Sequence, residues 1–305
     1  MTELLCLGEP MLEFNQQPDG HFLMGHGGDT SNCAIAAARS GASSGVVTAL
    51  GRDAFGDSFA SLWAQNGVAA DLVKRRGDGH TGVYFVTHSA DGHAFSYLRA
   101  GSAASRMGPA DLPLEAIRAA RCLHLTGITL AISDSSCDAG FAAIEAARES
   151  GVSVSFDTNL RLKLWPLARA RALIGAAMGM CDIALPGLDD AQQLTGLTEP
   201  QAIVDHYLAA GASIVALTLG AEGTLVATPE RTERVAAFRV VAVDATAAGD
   251  TFDGAFLAEW LRQGDPFVAA RYANAAAALS TQGYGAVAPM PDRKDVETFL
   301  EGAAL

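Results

Sequence analysis

The chain has 305 residues, half of them hydrophobic and 18% charged, with 34 acidic against 21 basic side chains and a formal charge of -13. That composition excludes a disordered chain, and the length suits a single α/β domain with enough buried surface to need no disulfide or metal staple. The acidic surplus argues against nucleic acid or an anionic membrane as partner, because such surfaces are met by a basic face that releases counterions. It leaves room for an anionic small molecule, which a few local cations can hold.

Taken in chain order, buried strands are expected at 4–8, 45–49, 122–125, 152–157, 183–185, 214–218 and 223–227. Between them the 3.6-residue period predicts helices at 31–40, 55–66, 136–149, 168–179, 189–194 and 199–210. Apolar strands alternating with amphipathic helices indicate a mostly parallel sheet covered on both faces. A further β-run is expected at 238–243, and beyond residue 250 the chain reads as helical at 251–263, 266–281 and 293–300. Two stretches break the alternation, 12–24 and 83–98, with turn signals at Pro18-Asp19-Gly20 and Asp91-Gly92. They read as antiparallel strands of a small sheet that projects from the main one as a lid. With no repeat and no low-complexity linker, one domain over 1–305 is expected.

Met1 runs straight into the first strand, with Glu3 and Glu9 beside it, so no signal peptide is expected. No apolar run approaches the ~18 residues of a membrane span. The cysteines Cys6, Cys33, Cys122, Cys137 and Cys181 are odd in number, form no C-x-x-C pair and lie in or beside apolar stretches. They read as buried, reduced thiols of a cytoplasmic protein. The histidines show no metal-binding spacing such as H-E-x-x-H.

The most informative segment runs from Asp244 to Gly254, D-A-T-A-A-G-D-T-F-D-G. Small residues precede a helix that is expected to begin near Asp250, where backbone N–H groups and the helix dipole favour an anion. Asp250 there is either an N-cap or a general base beside a phosphate cradle. The chain has no G-x-x-x-x-G-K-[ST] run, and its lysines, Lys74, Lys163 and Lys294, follow no glycine-rich loop. P-loop and protein-kinase mechanisms are therefore excluded. Any phosphoryl transfer must rest on amides, arginine and a metal ion.

Over essentially its whole length the chain resembles the ribokinase/PfkB family of carbohydrate kinases. Residues 244–254 resemble that family's C-terminal signature, and Gly27-Gly28-Asp29-Thr30-Ser31-Asn32-Cys33-Ala34 with Ala49-Leu50-Gly51-Arg52-Asp53-Ala54-Phe55-Gly56 resemble its N-terminal one. The resemblance implies a ribokinase-like three-layer αβα sandwich with a β-sheet lid, ATP as phosphoryl donor, and Mg²⁺. It makes Asp250 the base and the amides of Ala247, Ala248, Gly249 and Asp250 the anion hole. Many members carry glycine where Ala247 stands, and alanine serves there unless φ must be positive. Thr218, Gly220 and Gly223 match the nucleotide-side turn, and Asn274 matches the helix beside the adenine pocket. Asp244 and Thr246 match a monovalent-cation site, for K⁺. The usual N-x-x-E magnesium motif is replaced by Gly187-Leu188-Asp189-Asp190, which leaves Asp190 as the magnesium-side carboxylate and Asp189 as its substitute.

Four stretches are similar to the 2-keto-3-deoxygluconate kinases of that family: 8–14, 27–32, 97–104 and 124–129. The run 156–166 is shared with fructokinases. This likeness assigns substrate contacts to Gly28, Tyr84, Tyr97, Arg99, Ile128 and Arg161. Arginine suits a sugar acid because its fork reads a carboxylate through paired N–H bonds, and Arg161 is equally placed to clamp ATP phosphates. The implied reaction is phosphorylation of 2-keto-3-deoxygluconate at its terminal hydroxyl, in a homo-oligomer associating through the lid. A neutral-sugar kinase, fructokinase or ribokinase in type, is the alternative.

Overall fold

The computed structural model describes residues 2–89 and 92–303, so Asp91 of the expected turn lies outside the described residues. β1 (Leu4–Leu7) is buried throughout, with Leu4 and Cys6 in one apolar cluster and Leu5 and Leu7 in another. Consecutive apolar residues require such two-sided cover, because neighbouring side chains on a strand point to opposite faces. β2 (Met11–Gln16) and β3 (Phe22–Gly27) then leave as a hairpin. α1 (Asp29–Arg39), β4 (Ser44–Val47), β5 (Ala49–Gly51), α2 (Ala54–Gln65) and β6 (Lys74–Arg76) follow, and β5 and β6 pair as a short ribbon of their own. β7 (Gly82–Ser89) and β8 (Gly92–Leu98) form a second hairpin.

After α3 (Leu114–Ala119) strand and helix alternate: β9 (Cys122–Thr126), α4 (Gly127–Ala131), α5 (Asp134–Glu149), β10 (Ser153–Asp157), α6 (Leu167–Met178) and β11 (Ile183–Ala184). α7 (Leu188–Thr195), α8 (Pro200–Ala210), β12 (Ile214–Thr218), β13 (Thr224–Ala227) and β14 (Thr232–Val235) continue the chain. It closes with α9 (Ala248–Gln263), α10 (Pro266–Ser280) and α11 (Arg293–Gly302).

The central sheet has the order β14-β13-β12-β11-β10-β9-β1-β4, parallel from β4 to β12 and antiparallel at β13 and β14. One apolar cluster joins it to α1, α2, α9 and α10, the other to α3, α5, α6 and α8, which gives the three layers expected. All five cysteines are buried and free of disulfides. No helix among the described residues is long and apolar enough to cross a membrane.

The second sheet has the order β3-β2-β7-β8. Its two hairpins are antiparallel as expected, but β2 and β7 run parallel, with α1, α2 and four strands between them in the chain. The strand expected at 238–243 does not form; the edge strand is β14, which ends at Val235. The N–H groups of Val243 and Asp244 both donate to the Thr281 carbonyl, at 2.7 and 3.1 Å, instead of joining a ladder. Val241 is 83% exposed, so the β-branched run has no second layer to cover it.

α1 and α9 pack backbone against backbone. A Cβ on Gly254 would overlap the Cys33 carbonyl oxygen and lie 2.8 Å from the Ala36 Cβ. Only glycine lets these two helices approach so closely.

Candidate active site

The parallel strands deliver their carboxyl ends to one edge of the sheet, where open α/β folds hold ligands. Glu9 follows β1, Ile128 follows β9, Asp157 ends β10 and Asn159 to Arg161 follow it, Gly187 follows β11, and Thr218 ends β12. The N-terminus of α9 reaches the same edge. Two clefts meet there. The larger, about 700 Å³, lies under the second sheet. The smaller, about 270 Å³, lies against the first turn of α9. Asn159, Arg161, Ala247 and Asp250 line both.

Asp250 therefore stands at the junction. Its Oδ2 accepts a hydrogen bond from the Asn32 Nδ2 at 2.8 Å. Burial, then repulsion from the Asp29 carboxylate, pushes its carboxyl up to about 7, against the pull of Asn32 and Arg161. A carboxyl poised near neutrality, on the boundary of two clefts, can take a proton from a hydroxyl in one while a group is transferred from the other. Its N-cap reading fails, because the helix begins at Ala248 with Ala247 as the cap.

Ala247 adopts a left-handed conformation, φ 59°, so the position does demand the positive φ at which glycine is favoured. The bend frees the first-turn amides. The N–H groups of Ala247, Gly249 and Asp250 have no acceptor among the described residues, whereas that of Ala248 donates to the Ala245 carbonyl at 3.2 Å. Three of the four expected hole donors thus face the smaller cleft unspent.

That cleft is acidic on its far side. Asp190 lines it and accepts from the Leu160 N–H at 2.8 Å, with burial raising its carboxyl. Asp189 is exposed and lines neither cleft. Asp157 and Asp253 line the same cleft; burial, then repulsion from Asp190 and Asp250, holds the Asp157 carboxyl well above the usual range, and burial, then repulsion from Asp157 and Asp250, does so for Asp253. Among the described residues no three His, Cys, Asp or Glu side chains converge as a ligand cage. Such a site fits magnesium only in the manner usual for that ion, through one or two carboxylates with water and phosphate oxygens completing the shell.

All the residues expected at the acceptor line the larger cleft: Gly28, Tyr84, Tyr97, Arg99, Ile128, Arg161 and Asp250. Gly28 has φ 104°, and a Cβ there would lie 2.6 Å from the Glu9 carbonyl oxygen. The Tyr84 hydroxyl donates to Glu13 Oε2 at 2.6 Å, and its ring is 5.9 Å from that of Tyr97. Arg99 is not a free cation: its Nε and Nη2 both donate to Glu9 Oε2, at 2.8 and 2.6 Å. Glu9 is buried and also accepts from the Ser102 hydroxyl. The expected carboxylate reader thus arrives with a protein carboxylate already bound.

Of the residues expected to border a nucleotide, Thr218 lines the smaller cleft, while Gly220 and Gly223 shape the turn after β12 and line neither. Asn274 is buried, accepts from the Thr224 hydroxyl at 2.8 Å and donates to the Val235 and Ala236 carbonyls. Its amide is spent on tying α10 to β13 and β14. Thr246 lines the larger cleft. Asp244 Oδ1 accepts from the Thr246 N–H and hydroxyl, at 2.9 and 2.6 Å, and Oδ2 from the Gly285 N–H at 2.9 Å. Burial works to raise this carboxyl, but those donors outweigh it and hold it low.

The sequence reading assigned no role to Glu9, Asn32, Asn159 or Lys163, which also line the larger cleft. Asn32 lay inside the quoted glycine segment, so its signal was present. Asn159 has φ 29°, donates to Asp29 at 3.1 Å and turns the chain over the site. Glu9 lies inside the stretch 8–14 and so carried a signal as well, but its pairing with Arg99 did not, because only the fold brings the two together.

Comparison with known proteins agrees with this geometry. The chain is 33% identical over 312 residues to 2-dehydro-3-deoxygluconokinase of Thermoproteus tenax, covering 99% of this chain and 95% of that protein. It is 32% identical over 325 residues to fructokinase-2 of Solanum habrochaites, covering 99% and 97%. The crystal structure of a fructokinase from Xylella fastidiosa with bound ATP superposes with a TM-score of 0.92 at 26% identity, covering 99% of each chain. The model of the pfkB family carbohydrate kinases matches residues 1–293. With the three-layer sheet, the paired clefts and the α9 turn all where such an enzyme needs them, the chain belongs to the pfkB family and is a kinase that phosphorylates sugars.

Proposed function

We propose that this kinase uses ATP to phosphorylate 2-keto-3-deoxygluconate at its terminal hydroxyl. The observation that carries the reading is the place of Asp250, a carboxyl raised to about 7 where the acceptor cleft meets the α9 amides. The sugar hydroxyl gives its proton to Asp250 as its oxygen bonds to the γ-phosphorus, and the bond from that phosphorus to the ADP oxygen breaks. The amides of Ala247, Gly249 and Asp250 then face the charge that spreads over the phosphoryl oxygens. Arg161, which lines both clefts, bridges acceptor and phosphate. The second sheet excludes water, which would otherwise take the phosphoryl group. Magnesium, when bound, would supply positive charge to the phosphates, and Asp190 would hold it through water. Asp244 and Thr246 would serve a potassium ion only with their present internal bonds shared. Thr218 and the turn of Gly220 and Gly223 would border ATP, and Asn274 would support that border from behind.

Support for the sugar acid comes from the similarity to 2-dehydro-3-deoxygluconokinase and from the cations Arg99, Arg161 and Lys163 along the acceptor cleft. The neutral-sugar reading is favoured by the cancellation of Arg99 by Glu9 and by the similarity to fructokinase-2. ATP consumption with 2-keto-3-deoxygluconate, fructose, ribose and adenosine decides between them; fructose as the best acceptor would overturn the sugar-acid assignment. We extend the proposal to a single kinase domain over 1–305, a cytoplasmic location in keeping with five unpaired thiols, and self-association through the second sheet. Leu23 and Leu98 of that sheet are 62% and 59% exposed. Sedimentation of the purified chain as a monomer at micromolar concentration would remove the last of these.

A further inference from the structure

The three cations of the acceptor cleft are not equivalent. Arg99 is pinned by two hydrogen bonds to Glu9, whose carboxylate is buried, so the pair brings no net charge to a ligand. Arg161 lies where the clefts meet and acts on the Asp250 and Asp190 carboxyls, so its charge is committed to the phosphoryl end. Lys163 differs from both. It lines the acceptor cleft and not the smaller one. It is exposed, and no ion pair or hydrogen bond among the described residues involves its ammonium. Its Nζ lies 5.5 Å from the ring centroid of Phe95, on β8 of the second sheet, and Phe95 lines the same cleft.

A cation over an aromatic face is only weakly held in water, so Lys163 can turn from the ring to a stronger partner at small cost. We infer that Lys163 is a specificity-determining residue that binds the carboxylate of the acceptor in the larger cleft. The inference rests on the sugar-acid reading. Arg99, cancelled by Glu9, then serves as a hydrogen-bond donor to uncharged oxygens of the acceptor, and Lys163 supplies the charge that tells an acid from a neutral sugar. The same ammonium joins the loop after β10 to the second sheet, so a bound carboxylate would draw on a group that already touches both walls.

The test is steady-state kinetics of the full chain with 2-keto-3-deoxygluconate and with fructose, comparing the parent, Lys163→Met and Lys163→Arg. A charged hydrogen bond of this kind is worth about 10- to 100-fold in affinity. Lys163→Met is expected to raise KM for the acid by about that factor, with kcat within about threefold and KM for fructose within about threefold. Lys163→Arg is expected to recover most of the loss, and the salt dependence of KM for the acid is expected to flatten in Lys163→Met alone. Lys163 is exposed, so thermal unfolding of both variants should match the parent, which separates binding from folding. If the parent prefers the acid and Lys163→Met leaves its KM unchanged, or raises both KM values equally, the inference is wrong and the substrate reading stands. If the parent prefers fructose, the substrate reading fails and takes the inference with it.

Discussion

Replacing Asp250 by Asn removes the charge on which the proposed chemistry depends and should make the protein more stable. The carboxyl is raised to about 7 in the folded chain, against ~3.9 in an unfolded one. Between about pH 4 and 7 the folded state therefore binds more protons, and the stability associated with this group, complete below ~4, is lost as pH rises towards 7. At about 1.4 kcal/mol per pKa unit, holding this carboxyl at pH 7 costs roughly 3–4 kcal/mol. Asparagine keeps an oxygen to accept from Asn32, 2.8 Å away in the parent, and carries no charge. Allowing for imperfect fit, Asp250→Asn is expected to gain about 2–3 kcal/mol at pH 7 and far less at pH 5, while turnover falls by roughly 10²–10⁴-fold. Urea denaturation at both pH values, beside ATP turnover with the preferred sugar, measures the two effects. A gain that does not grow with pH would refute the buried near-neutral carboxyl, and turnover within a few-fold of the parent would refute the base.

Three further outcomes follow from the backbone and its supports. Ala247→Gly relieves a left-handed alanine that costs ~1–2 kcal/mol; against the larger chain entropy of glycine, a net gain of about 0.5–1 kcal/mol in urea unfolding is expected. Gly28→Ala forces a Cβ to 2.6 Å from the Glu9 carbonyl at φ 104°, and should lose about 2–4 kcal/mol with a raised sugar KM; unchanged stability would contradict the packing. Asn274→Ala strands the Thr224 hydroxyl and two carbonyls, so about 2–3 kcal/mol should be lost in unfolding while KM for ATP stays within about twofold. A large change in that KM alone would return Asn274 to the nucleotide.

Much of the fold was readable because its strands are short, apolar and flanked by helices of clear period; β1, β9, β10 and β12 fall where expected. The failure at 238–243 has a simple cause. β-branched residues state a preference for extended backbone, not the presence of a neighbour, and here the neighbour is the Thr281 carbonyl. The two-residue strand β11 falls within the expected 183–185, whereas the ribbon of β5 and β6 is held by tertiary pairing rather than by pattern. At the site, the expected residues that line the larger cleft lie, apart from Tyr84, in segments with a distinctive spelling. Their partners were not legible. That Arg99 is held by Glu9, ninety residues away, is a fact of three dimensions. The positive φ of Ala247 was legible only as a condition, since alanine itself gives no sign of it.

The contact at Gly254 bears on how such an enzyme can change over time. Asp250 lies one helical turn before Gly254 on α9, and Asn32 precedes Cys33 on α1, so the proposed base and the amide that holds it are carried by the two backbones that touch there. Any side chain at position 254 would part the helices and the pair with them. Recognition of the acceptor, by contrast, is distributed over loops and the second sheet, where single replacements move little else. Lineages built on this plan are therefore free to exchange sugars and not free to re-aim the base: diversity of substrate is inherited from a contact that admits none in itself.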